Sequence, residues 1–109
     1  MRRSKTPINI KYKYWRVNMA QLIKADGTIK DIEPKNGTDF QLEELQGYVD
    51  GDIDLINLFD GSVLVINDDG KDRYPTNNKA TNIAHDHHAI WDGDWIDGDV
   101  VMCLNSEIL

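Results

Sequence analysis

His85, Asp86, His87 and His88 place three imidazoles and a carboxylate in four consecutive residues, with Asp92 and Asp94 shortly after. Imidazole nitrogens and carboxylate oxygens bind zinc and other first-row metals, so a metal centre or acid–base chemistry is the first possibility to weigh. The spacing speaks against both. Histidines that share a metal on a helix stand four apart, as in H-E-x-x-H, and adjacent residues in a loop rarely converge on one ion. No nucleophile or oxyanion donor can be named beside them. His85, His87 and His88 are therefore weak metal candidates, and neither a catalytic residue nor a cofactor is expected.

Aspartate–glycine pairs form the second set, at Asp50-Gly51, Asp69-Gly70, Asp92-Gly93 and Asp97-Gly98. A calcium loop requires D-x-[DN]-x-[DN]-G-x5-E; the series starting at Asp50 has Leu55 where Gly is needed and Gly61 where the closing Glu belongs, so turn formation explains these pairs. Trp91 and Trp95, four apart and near the histidines, form the third set. Indole offers a large contact area at small entropic cost, which suits an interface or a ligand lid, and equally suits covering a sheet.

These residues need elements to hold them. Thr38 and Gln41 have capping-box spacing, which predicts a helix over about 39–50 with Leu42, Leu45, Tyr48 and Val49 on one face, Glu43, Glu44 and Gln46 on the other, and Gly51 as the stop. Ile53, Leu55 and Leu58, an Asp60-Gly61 turn, and Val63 to Ile66 then predict a β-hairpin. Leu42, Leu45, Val49, Ile53, Leu55, Val63 and Val65 are the expected core. Residues 20–33 form a second hairpin turning at 25–28. Asn77 or Asn78 caps a short helix through Ala84, a long loop covers 85–97, and Val100 to Leu104 is the last strand. The expected fold is α+β: one helix, plus a short second helix, on a small, mostly antiparallel sheet of hairpins.

The chain of 109 residues is long enough for one domain. Arg2, Arg3, Lys5, Lys11, Lys13 and Arg16 place six positive charges and no acid in the first eighteen residues, so all 19 acids face six Lys and Arg in the remainder. Residues 1–18 are expected to be a basic arm or edge strand, alternating from Ile8 to Val17, and 19–109 a single acidic domain, with Met19 a candidate start. An acidic body repels nucleic acid and anionic membrane and attracts basic protein grooves. One cysteine, Cys103, rules out an intrachain disulfide and fits a reducing compartment; no apolar run is long enough to span a membrane. A cytoplasmic protein without membrane or direct nucleic-acid contacts is expected.

Five stretches carry a resemblance: ADGTIKDIEP at 25–34, FQLEELQGYVDG at 40–51, VINDDGK at 65–71, NNKATN at 77–82 and DGDVVMC at 97–103. Together, over residues 19–105, the sequence resembles a family of small domains of unknown function carried by bacteriophages and integrative elements of bacteria. The basic first eighteen residues and the histidine cluster depart from that pattern. As a class, small acidic phage proteins resemble inhibitors of bacterial defence, including anti-CRISPR proteins that occupy a nuclease's nucleic-acid groove. That resemblance implies a non-enzymatic anti-defence binder, directed at a type II CRISPR nuclease of the Cas9 kind or its guide complex. Carboxylates would replace phosphates against a basic channel. The contact residues would be Glu43, Glu44, Asp50, Asp52, Asp54, Asp68, Asp69 and Asp72, with Trp91 and Trp95. Two alternatives are a module sequestering a small nucleotide signal under the His/Trp loop, and a metal-dependent enzyme using His85, His87 and His88 with Asp92 or Asp94.

Overall fold

Two runs, Val63–Ile66 and Val100–Leu104, are apolar at consecutive positions, and a strand of that kind needs both of its faces covered. The computed structural model describes residues 20–108 and places the strands that carry these runs side by side in a five-stranded antiparallel sheet. In chain order the elements are β1 (Gln21–Ile23), β2 (Ile29–Asp31), α1 (Leu42–Val49), β3 (Ile53–Asn57), β4 (Ser62–Asn67), α2 (Asn78–Asp86) and β5 (Val100–Leu104), followed by a 3-10 turn. The strand order is β2-β1-β5-β4-β3, so β2 and β3 are the edges. The fold is α+β. The expected basic arm at residues 1–18 lies outside the described residues.

Alternation along the central strands sorts their side chains between two helices. Val63, Val65, Val101 and Cys103 join Leu45 and Val49 of α1 on one face, together with Phe40. Leu64, Val100 and the partly buried Ile66 and Met102 join Ala80 and Ala84 of α2 on the other. The helices therefore cover opposite faces, and the expected α+β fold of two helices on an antiparallel sheet takes a three-layer form. Ala80 and Ala84, both fully buried, are the residues by which α2 joins this second cluster.

The start of α1 differs from expectation for a definable reason. Thr38 does not cap it. The Asn36 side chain accepts from the N–H groups of Thr38 (2.9 Å) and Asp39 (3.0 Å), forming a local turn. Phe40 is fully buried and donates its N–H to the Glu107 carbonyl at 2.6 Å, which keeps this part of the chain extended. The helix begins three residues late, with Gln41 as its cap and the Glu44 carboxylate accepting from the Gln41 N–H at 3.0 Å. Because Phe40 fills the core position, Leu42 is half exposed instead of buried; Leu55, on the open edge strand, is 38% exposed. The second helix runs to Asp86, so His85 and Asp86 are helical.

Cys103 sits in the core at 3% exposure. Burial, and then the nearby Glu107 carboxylate, pushes its thiol up to about 12, so almost no thiolate exists near neutral pH. Thiol reagents at pH 8 are expected to leave the folded protein unlabelled over minutes and to label it promptly in denaturant; comparable labelling in both states would place Cys103 outside the core.

Candidate functional site

The topology gathers acids that are far apart in the sequence. The β3–β4 register pairs Ile53 with Asn67, and Asp68 extends the ladder by donating its N–H to the Asp52 carbonyl at 2.8 Å. Asp50, Asp52 and Asp54 before and within β3 thus lie beside Asp68 and Asp69 just beyond β4, at the end of the sheet where α1 also finishes, and Asp72 follows on the next turn. A buried amide joins the two segments: Asn67 donates to the carbonyls of Val49 (3.0 Å) and Asp50 (3.2 Å) and accepts from the Asp69 N–H at 2.8 Å. Gly51 accommodates it, since a Cβ there would lie 2.8 Å from the Asn67 amide nitrogen. In the sequence Asn67 reads only as the end of a strand.

The six carboxylates are not equally free. Asp50 occupies the left-handed C-cap of α1 (φ 65°) and accepts from the Tyr74 hydroxyl at 3.0 Å. Its carboxylate raises the Tyr74 phenol above its ordinary value by that hydrogen bond. Asp52 accepts from Gln46 at 3.3 Å, and Asp69 pairs with Arg73 at 2.6 Å. Asp54 lies mid-strand on the exposed β3 edge, where a charge also discourages pairing with another chain.

Glu43 and Glu44 are not part of this group. They belong to the first turn of α1, about 10 Å along the axis from its C-terminal end, and Glu44 is occupied internally. Its two oxygens accept from the N–H groups of Gln41 and Lys35, which hold its carboxyl below the ordinary range. The acids grouped together on sequence grounds therefore fall into two places.

The histidines do not converge. The Nε2 of His85 faces the Asp94 carbonyl at 2.8 Å, while Nδ1 of His87 accepts from the Phe59 N–H at 3.2 Å on the β3–β4 turn. His88 lies at a left-handed position, φ 52°. Among the described residues no three His, Cys, Asp or Glu side chains are placed to hold a metal. Phe59, absent from the sequence-based candidates, stands 74% exposed with its ring 5.6 Å from that of His87.

The two tryptophans play different parts. Trp91 is 85% exposed, whereas Trp95 is built into the loop: the Lys71 ammonium lies 4.4 Å from its ring centroid, and its indole N–H donates to Asp97 at 3.1 Å. Lys71 also pairs with Asp94, whose carboxyl it holds below the ordinary range. Asp97 is buried and accepts from the Asp72 N–H at 2.8 Å. Burial alone would push this carboxyl up, but the bonds from Asp72, Trp95 and Thr76, with the charge of Lys71, more than offset it and hold it below the ordinary value. The sign follows: a depressed folded value stabilises fully above the unfolded pKa of ~3.9, and that stabilisation is lost as pH falls through the folded value. The thermal midpoint is expected to drop below about pH 4, and by less in Asp97→Asn, as followed by circular dichroism. An identical acid profile in the variant would remove Asp97 from this role.

No helix among the described residues is long and apolar enough to cross a membrane. No curated protein and no solved structure matches the chain significantly. The family model described as a domain of unknown function, DUF3846, matches residues 19–107, the stretch that contains the sheet, both helices and the acidic end. This chain belongs to the DUF3846 family.

Proposed function

We propose that this chain is a non-catalytic binding protein of a bacteriophage or mobile element, acting in the host cytoplasm against a defence protein. Its acidic end would seat in a Lys/Arg-lined nucleic-acid groove, and a type II CRISPR nuclease of the Cas9 kind, alone or with its guide, is the target whose chemistry fits. The observation that supports this reading is the gathering of Asp50, Asp52, Asp54, Asp68 and Asp69 at one end of the sheet by the β3–β4 register, with Asp72 on the turn that follows. Carboxylates gathered at one end of a sheet concentrate negative charge there, and a groove evolved for phosphates attracts such an array. The acidic body would make no direct contact with nucleic acid, because its charge has the same sign.

Expression in cells carrying an active type II CRISPR system is the test. A targeted plasmid should be retained when the protein is made; undiminished plasmid loss at full expression would set this target aside.

One observation favours a second reading, a small-ligand module. A cavity of about 370 Å³ is lined by His88, Ala89, Ile90, Trp91 and Asp94, at the low end of the sizes that hold small molecules. A rise in thermal midpoint with cyclic nucleotides, lost in Trp91→Ala, would support it; no rise at millimolar ligand would end it.

A further inference from the structure

A different cavity, of about 320 Å³, opens where the C-terminal end of α1, the β1–β2 turn and the two loops before β5 meet. Its lining includes three acidic residues, Asp26, Asp50 and Asp99, and two tyrosines, Tyr48 and Tyr74, with Lys24 as the one basic residue among the described lining.

The walls are fixed in place. The Tyr74 ring packs across Gly98, where an added Cβ would lie 3.4 Å from its Cβ and 3.5 Å from its Cγ, and its hydroxyl is bonded to Asp50 at the far end. Asp99 accepts from the Ala25 N–H at 2.9 Å and Asp26 from the Thr28 N–H at 2.8 Å, so both carboxylates are oriented by backbone. None of the three acids is in a salt bridge among the described residues.

The floor adds to the negative potential. The last turn of α1 ends here with no basic residue and with Asp50 as its cap. A carboxylate at a helix C-terminus opposes the helix dipole, and Lys, Arg or His is the residue type that the position favours. Lys24 is the one cation in the lining against three carboxylates, so the site keeps an excess of negative charge that an external cation would offset.

We infer that this cavity is a socket for an alkyl-guanidinium group, the side chain of an arginine on a protein partner. Guanidinium is planar, stacks on tyrosine faces, and donates up to five N–H bonds to carboxylates around its edge; an ammonium cannot combine these contacts. Phosphate-bearing ligands are excluded by the charge of the lining. The inference rests on the proposed binding role and gives that partner's anchoring chemistry.

The test needs no nuclease, so its failure is separable from failure of the defence target. N-acetyl-arginine amide and N-acetyl-lysine amide are titrated into the 15N-labelled protein, alongside a short Gly/Ser peptide carrying one arginine. Amide shifts should centre on Ala25, Asp50, Tyr74, Gly98 and Asp99, with the arginine compounds binding roughly tenfold tighter than lysine and the peptide at least as well as the free amide. Asp50→Asn should weaken arginine binding about tenfold, while Asp54→Asn, outside the cavity, should change it less than about twofold. Asparagine tolerates the left-handed backbone at this position, so the variant keeps its fold. Equal binding of lysine and arginine, shifts spread evenly over the acidic surface, equal effects of the two variants, or binding of the free amide but not the peptide would each overturn the inference.

Discussion

Replacing Asn77 with Ala is expected to lower the unfolding free energy by about 3 kcal/mol, a fall of roughly 10–20 °C in thermal midpoint for a domain of this size. Asn77 is 1% exposed and holds three parts of the fold together. Its amide donates to the carbonyls of Ile23 in β1 (2.8 Å) and Gly98 before β5 (2.9 Å), and its oxygen accepts from the Ala80 N–H at 3.0 Å, capping α2. Alanine loses the cap and leaves two carbonyls without their donor. The substitution Asn77→Asp separates these contributions: aspartate caps a helix as well as asparagine does, but would set a carboxylate against two carbonyl oxygens. Asn77→Asp is therefore expected to be at least as damaging as Asn77→Ala. A nearly wild-type Asn77→Asp protein would show that the cap alone matters.

The second large effect concerns the acidic end. Neutralising Asp52, Asp54, Asp68 and Asp69 together as asparagines is expected to raise the concentration needed to inhibit the target about 100-fold, because clustered charge accelerates encounter by roughly 10 to 1,000-fold. The fold should be unaffected or slightly steadier, since these side chains are exposed and mutually repulsive, and isolated surface pairs contribute little. Glu43→Gln, at the opposite end of α1, serves as the control and should change inhibition less than about twofold. An unchanged inhibitory concentration in the fourfold variant, with an intact circular dichroism spectrum, would mean that the acidic end is not the contact.

The elements were largely legible because their signals are local. Gly27 (φ 95°) and Gly61 (φ 88°) sit in the turns of the two hairpins, and Asn77 caps α2, all consistent with turn and cap chemistry. The start of α1 was not legible from spacing alone. Two overlapping three-residue intervals, Thr38 to Gln41 and Gln41 to Glu44, compete, and the choice is made by Phe40 through Glu107, a contact from the far end of the chain. The two-sided sheet was implicit in the unbroken apolar runs Val63–Ile66 and Val100–Leu104, but which helix covers which face depends on tertiary packing.

The site followed the same division. That Asp50–Asp54 lies beside Asp68 and Asp69 follows from hairpin register, a near-neighbour property. Asn67, which locks the two segments together, looks in sequence like any polar residue at a strand end; its burial and its bonds to Val49 and Asp50 depend on α1 docking there. The tyrosine-walled cavity was equally hidden, because its residues come from four separated stretches. The histidines mislead for the opposite reason: they are adjacent in sequence, but His85 and His87 bond to different loops.

The most direct measurement is DNA cleavage by a purified, guide-loaded type II CRISPR nuclease, titrated with the wild-type protein at ~50 and ~200 mM salt. The proposed role predicts cleavage suppressed at near-stoichiometric protein in the lower salt, with potency falling at least several-fold in the higher salt as the acidic end is screened. Full cleavage in the lower salt with the protein in large excess would contradict it.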